Sequence, residues 1–168
     1  MATPGLGSAP QPSISNIVEQ KLRAERVVKG GAGWFITIAI LSAVNSILSM
    51  SGAGMRFIFG LGISEVVDAL ARRAGTTGYA LDLVINGFVA GLFVVFWRFA
   101  RKGQSWAFWV GMALYALDGV IVLLLADYLA AAFHAYALYR IYSGLRGISV
   151  LQYAEAAALS SGAPIEPH

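Results

Sequence analysis

The chain has no cysteine, and only 12% of its 168 residues are charged. Without cysteine it cannot form disulfide bonds, thiolate metal sites, iron–sulfur clusters or a cysteine nucleophile. The sequence also lacks the GxSxG, HExxH and P-loop patterns of common hydrolases, zinc proteases and nucleotide-binding proteins. We therefore expect a protein that is not an enzyme and that uses no cofactor and no metal.

Hydrophobic residues make up 58% of the chain, whereas soluble domains contain ~45–50% hydrophobic and ~25% charged residues. A soluble domain of this length could not bury so many apolar side chains, and long apolar runs place them in lipid instead. The net charge of +3 is carried by short groups of basic residues beside these runs. This pattern indicates membrane topology rather than nucleic-acid binding, so the predicted partner is the lipid bilayer.

Four apolar segments have the length and composition of membrane-spanning helices. They cover residues 33–51, 78–99, 105–126 and 128–146. Each approaches the ~20 residues that cross ~30 Å of hydrocarbon at 1.5 Å per residue. The last segment is the least apolar, because it contains His134 and Arg140. The predicted fold is all-α, a four-helix transmembrane bundle formed by residues 30–147.

Polar segments flank the predicted bundle at both ends. Residues 1–13 are rich in Pro, Gly, Ser and Ala, and Asn16 followed by Glu19 is a typical helix start. We therefore expect residues 1–29 to form a cytoplasmic tail with a short juxtamembrane helix. Residues 148–168 become rich in Ala, Ser, Gly and Pro, which predicts a flexible cytoplasmic tail.

An amphipathic segment lies between the first two spans, at residues 64–74. Its apolar side chains recur at helical spacing, and they are Val66, Val67 and Leu70. Its charged side chains fall on the opposite side, and they are Glu65, Asp68 and Arg72. This pattern predicts an interfacial helix that lies along the membrane surface.

Basic residues are distributed unequally between the two sides of the predicted bundle. Nine lie on one side: Lys21, Arg23, Arg26, Lys29, Arg98, Arg101, Lys102, Arg140 and Arg146. Three lie on the other side: Arg56, Arg72 and Arg73. By the positive-inside rule the side with nine faces the cytoplasm, which predicts an N-in, C-in topology. The tryptophans fall at that same side, where their rings anchor at lipid headgroups: Trp34, Trp97, Trp106 and Trp109.

Five Asn, Asp and His residues fall inside the predicted spans, and we call them the polar cluster: Asn45, Asp82, Asn86, Asp118 and His134. At 1.5 Å per residue they all lie in the outer half of the bilayer, within ~6–12 Å of its outer boundary. Polar groups are costly in lipid, so we expect these side chains to face the interior of the bundle and to find partners there.

Asp118 is the deepest acidic residue of the polar cluster. It could form a structural contact with one of four residues: Asn45, Asn86, Tyr115 or His134. The alternatives are a proton or cation path, and a metal or substrate ligand. One histidine with nearby carboxylates is a small set for zinc, and a bis-histidine haem needs a second histidine in a span. The residue types alone therefore leave three roles of Asp118 open: a structural contact, a proton or cation path, and a metal or substrate ligand.

Small residues at i, i+4 spacing predict close helix packing. Gly87 and Gly91 form a GxxxG pattern in the second span, and Ser42 and Ser46 have the same spacing in the first. We expect these positions to allow close packing of helices within one chain rather than dimerisation.

A family resemblance is carried by three segments: GWFITIAILSAVNSILS, FGLGISEVVDALA and GMALYALDGVIVLLLADYLAAAFHAYALYRIYSGL. They resemble a widespread group of small uncharacterised bacterial four-span membrane proteins, over roughly residues 30–147. The resemblance implies a bacterial origin and a membrane location, and it implies no activity.

Two functional hypotheses follow from these features. The first is a non-enzymatic accessory, scaffold or partner-binding subunit in a bacterial cytoplasmic membrane, associated with a larger complex or with a second copy of itself. The second is a small transporter or proton- or cation-conducting protein that uses Asp82, Asp118 and His134. Transporters often contain internal repeats and broken helices, and neither is evident in the sequence. A dry, paired polar cluster would favour the first hypothesis, and an open, wet one the second.

Overall fold

The structure is a computed structural model that describes residues 14–50 and 76–160, with side chains for 14–48 and 83–160. Apart from two short turns, all described residues are α-helical. They form four helices: α1 (Ile14–Met50), α2 (Thr76–Ala100), α3 (Ser105–Leu124) and α4 (Tyr128–Ser160). The predicted interfacial helix at residues 64–74 lies outside the described residues.

Three of these helices are long and apolar enough to cross a membrane. The qualifying stretches are Ile14–Leu48, Leu83–Ala100 and Ser105–Leu124. α4 is not among them, because alanines, tyrosines, His134 and Arg140 lower its hydropathy. The expectation of an all-α fold is therefore confirmed for the described residues, the three apolar helices support membrane association, and the fourth span stays a prediction.

α1 and α4 are longer than the spans predicted within them. Their 37 and 33 residues correspond to ~55 Å and ~50 Å at 1.5 Å per residue, more than the ~30 Å of hydrocarbon. The predicted juxtamembrane helix is continuous with the first span. We call residues 14–30 of α1 and 145–160 of α4 the extension.

The C-terminal part of α4 corrects the prediction of a flexible tail from residue 148. Residues up to Ser160 are helical, because the buried stripe of α4 continues through Ile148, Ala154 and Ala158. Apolar side chains that bury themselves against a neighbouring helix stabilise those turns. Residues 161–168 lie outside the described part of the chain.

The helices pack in a closed order, with α1 against α2 and α4, and α3 against the same two helices. The closest approach occurs where Gly31 of α1 meets Gly144 of α4. A Cβ atom on Gly31 would lie 2.4 Å from the Gly144 Cα atom, and one on Gly144 would lie 2.7 Å from the Gly31 Cα atom. The two backbones touch at this crossing, so neither position has room for a side chain.

The GxxxG pattern of α2 does not contribute to this packing. Gly87 and Gly91 are exposed, and a Cβ atom at either position would meet nothing within 4 Å among the described residues. The prediction that these glycines pack within the chain is therefore wrong. The small residues at the same spacing in α1, Ser42 and Ser46, do face the interior.

An aromatic core fills the space between the helices on one side of the polar cluster. The Phe35 ring of α1 is fully buried and lies 6.2 Å from Phe93, 6.0 Å from Phe96 and 5.9 Å from Phe108. Gly111 of α3 leaves room for it, since a Cβ atom there would lie 2.5 Å from the Phe35 ring. This core fixes the spacing of α1, α2 and α3, and so positions the polar residues next to it.

Candidate functional site

The polar cluster predicted from sequence is buried wherever the structure describes it. Asn45, Asn86, Asp118 and His134 come from four different helices, and each is at most 7% exposed. Asp82 belongs to α2, and its side chain lies outside the described residues. The expectation that the polar side chains turn away from lipid is therefore met for these four.

Asp118 and His134 form the central contact of the cluster. His134 Nε2 lies 2.9 Å from Asp118 Oδ2, which links α4 to α3. His134 was one of the four partners expected for Asp118. Because the contact joins two helices in the interior, it can specify their relative rotation and register as well as satisfy both side chains.

The hydrogen bond of the other ring nitrogen of His134, Nδ1, indicates how many protons the Asp118–His134 pair holds. His134 Nδ1 lies 2.8 Å from the Ala130 carbonyl oxygen. A carbonyl oxygen can only accept, so Nδ1 carries a proton and donates it. One proton then lies between Nε2 and the Asp118 carboxyl group, either as imidazolium with carboxylate or as imidazole with carboxylic acid. The pair is neutral overall in both arrangements.

The first turn of α4 holds His134 in place. Asp127 Oδ1 accepts a hydrogen bond from the Ala130 backbone N–H at 3.0 Å, so Asp127 is the N-cap of α4. On α3, Gly119 lets this turn approach closely, because a Cβ atom there would lie 3.2 Å from His134 Cβ. The sequence analysis identified neither role, although an Asp just before a helix is a typical N-cap signal.

Tyr115 covers the face of the His134 ring. The two rings are stacked with centroids 4.4 Å apart and an interplanar angle of 15°. Tyr115 is 1% exposed, and its other side meets the edge of Phe93 at 6.0 Å. The sequence analysis named it only as a possible partner of Asp118. Its position three residues before Asp118 on α3 was the signal that both side chains share a face.

α1 contributes further polar side chains to the same interior. Ser42 Oγ donates to the Ile38 carbonyl oxygen at 2.9 Å, which satisfies it within its own helix. Ser46 Oγ is buried and has no hydrogen-bond partner among the described residues. Asp118 and His134 are the two titratable side chains of the polar cluster that the structure describes, and they contact each other.

The described residues contain no group of three or more His, Cys, Asp or Glu side chains that could hold a metal ion. Asp118 and His134 supply two potential ligands, and they hydrogen-bond to each other.

Comparison with known proteins adds no assignment. No protein-family model matches the chain, and no curated protein and no solved structure matches it. The resemblance to small bacterial four-span proteins stays a prediction.

Proposed function

We propose that this protein is a non-enzymatic, multi-pass protein of a bacterial cytoplasmic membrane that serves as a scaffold or partner-binding subunit. In this proposal all four helices cross the bilayer as one bundle, and residues 64–74 form a helix on its outer surface. Both termini lie in the cytoplasm. The partner is another membrane protein of a larger complex or a second copy of this chain.

The pattern of burial on α4 supports a fourth span. One stripe is buried along the helix: Ala130, His134, Ala137, Ile141, Leu145 and Ile148. Tyrosines are exposed around it, at positions where they can meet lipid: Tyr128, Tyr136, Tyr139 and Tyr142. α4 also follows α3 after a turn of residues 125–127 and packs against it. A helix joined to a span by so short a turn runs back through the same layer.

The tryptophans support the proposed orientation. The rings of Phe96 on α2 and Phe108 on α3 both contact Phe35 on α1. Every tryptophan lies within two residues of one of these phenylalanines, so all four occur at one level of the helices. An aromatic belt of this kind is typical of a headgroup interface, and the nine basic residues on that side favour the cytoplasmic one.

The scaffold role rests on one observation, the buried hydrogen bond between two residues of the polar cluster, Asp118 and His134. Asp118 and His134 are at most 5% exposed and hydrogen-bond to each other, as in a dry structural contact. Gly87 and Gly91, in contrast, turn outward on α2. Outward-facing glycines at this spacing let a helix of another protein approach closely within lipid.

Affinity purification from native membranes in a mild detergent tests the scaffold role. We expect the protein to co-purify with a second membrane protein or as an oligomer, and Gly87→Val with Gly91→Val to reduce that association. Gly33→Val is the matched control, because a Cβ atom at Gly33 also meets nothing within 4 Å among the described residues. Recovery of the unmodified protein as a partner-free monomer would contradict the role.

The shared proton of Asp118 and His134 favours a second candidate, a proton- or cation-conducting protein in which this pair and Asp82 line the path. Asp118→Asn separates the two candidates. The Asn amide can donate to His134 Nε2, so a scaffold keeps its fold and its partners. A conducting protein also folds but loses proton flux into liposomes, because the group that exchanges the proton is gone. Flux above that of empty liposomes, abolished by Asp118→Asn, would favour conduction.

A further inference from the structure

A groove of about 640 Å³ lies between α1 and α4, on the extension side of their closest contact. Polar and basic side chains from both helices line it, and they are Gln20, Arg23, Ser143, Arg146 and Ser149. Ala24, Val27, Gly147 and Val150 line it as well, and most of its exposed surface is apolar. No acidic side chain lines this groove in the part of the chain that the structure describes, so its charge is positive.

The crossing of α1 and α4 fixes the level of the groove relative to the bilayer. Gly31 lies three residues before Trp34, or ~4.5 Å along α1, and it touches Gly144. Arg146 is two residues further along α4, or ~3 Å. If Trp34 marks the inner interface, Arg146 lies within the headgroup layer, which is roughly 5–8 Å thick. Arg23 lies further from the bilayer on α1 and can extend toward that layer.

Both arginines are available to an incoming anion. Arg23 pairs with Glu19 at 3.0 Å, but both side chains of this pair are largely exposed, so water screens the attraction. Arg146 has no carboxylate partner among the described residues. Two guanidinium groups facing one groove are suited to a phosphate, which each can bind through parallel N–H donors. Gln20 and Ser149 add neutral donors.

We propose that this groove binds the phosphate-bearing headgroup of an anionic phospholipid from the inner leaflet. Its charge suits a phosphodiester, and Val27 offers an apolar contact between the levels of Arg146 and Arg23. The inference rests on the proposed membrane orientation and does not require the scaffold role. A partner-free protein can still bind lipid, and a scaffold can lack this lipid site, so the two proposals fail separately.

Lipid titration of the delipidated, full-length protein in neutral detergent tests the groove. Phosphatidylglycerol and phosphatidylcholine are added in turn, and bound lipid is counted by native mass spectrometry. We expect one phosphatidylglycerol to bind more tightly than the others and more tightly than phosphatidylcholine. Arg23→Gln with Arg146→Gln should weaken that first binding step by roughly tenfold or more. Arg26→Gln with Arg98→Gln removes the same charge outside the groove and should change it by less than about twofold.

Three results would overturn the proposal. Equal weakening by both double variants would indicate non-specific attraction to a basic surface. Displacement of the lipid by millimolar inorganic phosphate would indicate a site for a soluble anion. No preference for phosphatidylglycerol over phosphatidylcholine would remove the role of headgroup charge. Circular dichroism of each variant verifies that the helices are retained, and Arg23→Lys with Arg146→Lys should restore part of the affinity if folding is intact.

Discussion

α1 and α4 run side by side through two regions that bury different kinds of side chain. In the extension the buried residues of both helices are apolar: Ile17, Ala24, Val28, Ile148 and Ala154. Beyond the Gly31–Gly144 contact the same helices bury polar residues in addition to apolar ones, and the polar ones are Ser42, Asn45, Ser46 and His134. The exposed surface changes in the opposite sense, from charged residues such as Arg23 and Arg26 to apolar ones such as Ile40 and Ile47.

The solvent explains this difference. In water, apolar side chains are driven inside and charged ones stay out. In lipid there is no such drive for apolar groups, but a polar group finds no hydrogen-bond partner, so polar groups are the ones that must turn inward. Close packing at the Gly31–Gly144 contact and in the aromatic core around Phe35 therefore stabilises the membrane region, together with the Asp118–His134 hydrogen bond.

The largest predicted difference is between two leucine-to-aspartate substitutions, one at an exposed position of each region. Leu22 and Leu117 are 57% and 61% exposed, respectively. Leu117→Asp places a carboxyl group in lipid at a cost of about 2.5–3.5 kcal/mol, so membrane-inserted protein should fall sharply. Leu22→Asp faces water and should change the free energy of unfolding by less than about 0.5 kcal/mol. The yield of folded protein from membranes measures both. Equal tolerance of the two variants would place Leu117 in water.

The second prediction concerns the boundary between the regions. Gly31→Ala should reduce the free energy of unfolding by about 2–3 kcal/mol, because its Cβ atom meets the backbone of α4 and the helices must separate. Gly30→Ala is the matched control, since a Cβ atom there meets nothing within 4 Å in the part of the chain that the structure describes. It should raise stability by up to about 1 kcal/mol through helix propensity. Unfolding in mixed micelles measures both, and equal values would disprove the close crossing.

The third prediction tests the polar interior. Asp118→Leu should cost about 1–2 kcal/mol in the same assay, because His134 Nε2 then has lost its partner. Asp118→Asn should cost less, since its amide can donate to the same nitrogen. A more stable Asp118→Leu variant would mean that the contact is maintained for a reason other than stability.

The sequence predicted correctly the burial of the four cluster residues whose side chains the structure describes, because lipid imposes one strong rule on polar groups. It named His134 among the partners of Asp118 from depth alone. It could not select His134, because helix rotation depends on Gly119 and Tyr115, whose effect appears only when α3 and α4 are packed together. The depth of a polar residue follows from its position along one helix, whereas its hydrogen-bond partner depends on how two helices pack together.

Glycine contacts were harder to predict for the same reason. The GxxxG spacing of Gly87 and Gly91 was visible in the sequence, but in the structure both glycines face outward from α2. Gly31 and Gly144, which lie in different helices, make the actual close contact. A single-helix pattern shows that a helix can be approached closely, but it does not show by which partner. The sequence analysis predicted a flexible tail where α4 in fact continues. The prediction rested on the alanines of this segment, although they pack against α1.

The smallest predicted effect compares the turns at the two ends of α3. Both turns end a helix with the same pair of hydrogen bonds. In the first, Gly103 N–H donates to Ala100 O at 2.9 Å and Gln104 N–H to Phe99 O at 3.3 Å. In the second, Ala126 N–H donates to Leu123 O at 3.0 Å and Asp127 N–H to Val122 O at 3.3 Å. This is the Schellman arrangement, whose central residue is left-handed and usually glycine.

The two turns differ in that central residue, which is Gly103 at φ 73° in one and Ala126 at φ 60° in the other. A Cβ atom is unfavourable in this conformation, so Ala126→Gly should raise the free energy of unfolding by about 0.5–1 kcal/mol. Gly103→Ala should lower it by a similar amount, because it introduces the same strain in the turn before α3. Thermal unfolding in one detergent measures both as opposite shifts in Tm. If Ala126→Gly instead lowers Tm, the entropy that glycine adds to the unfolded chain outweighs the strain, and the turn after α3 is not held in the left-handed conformation.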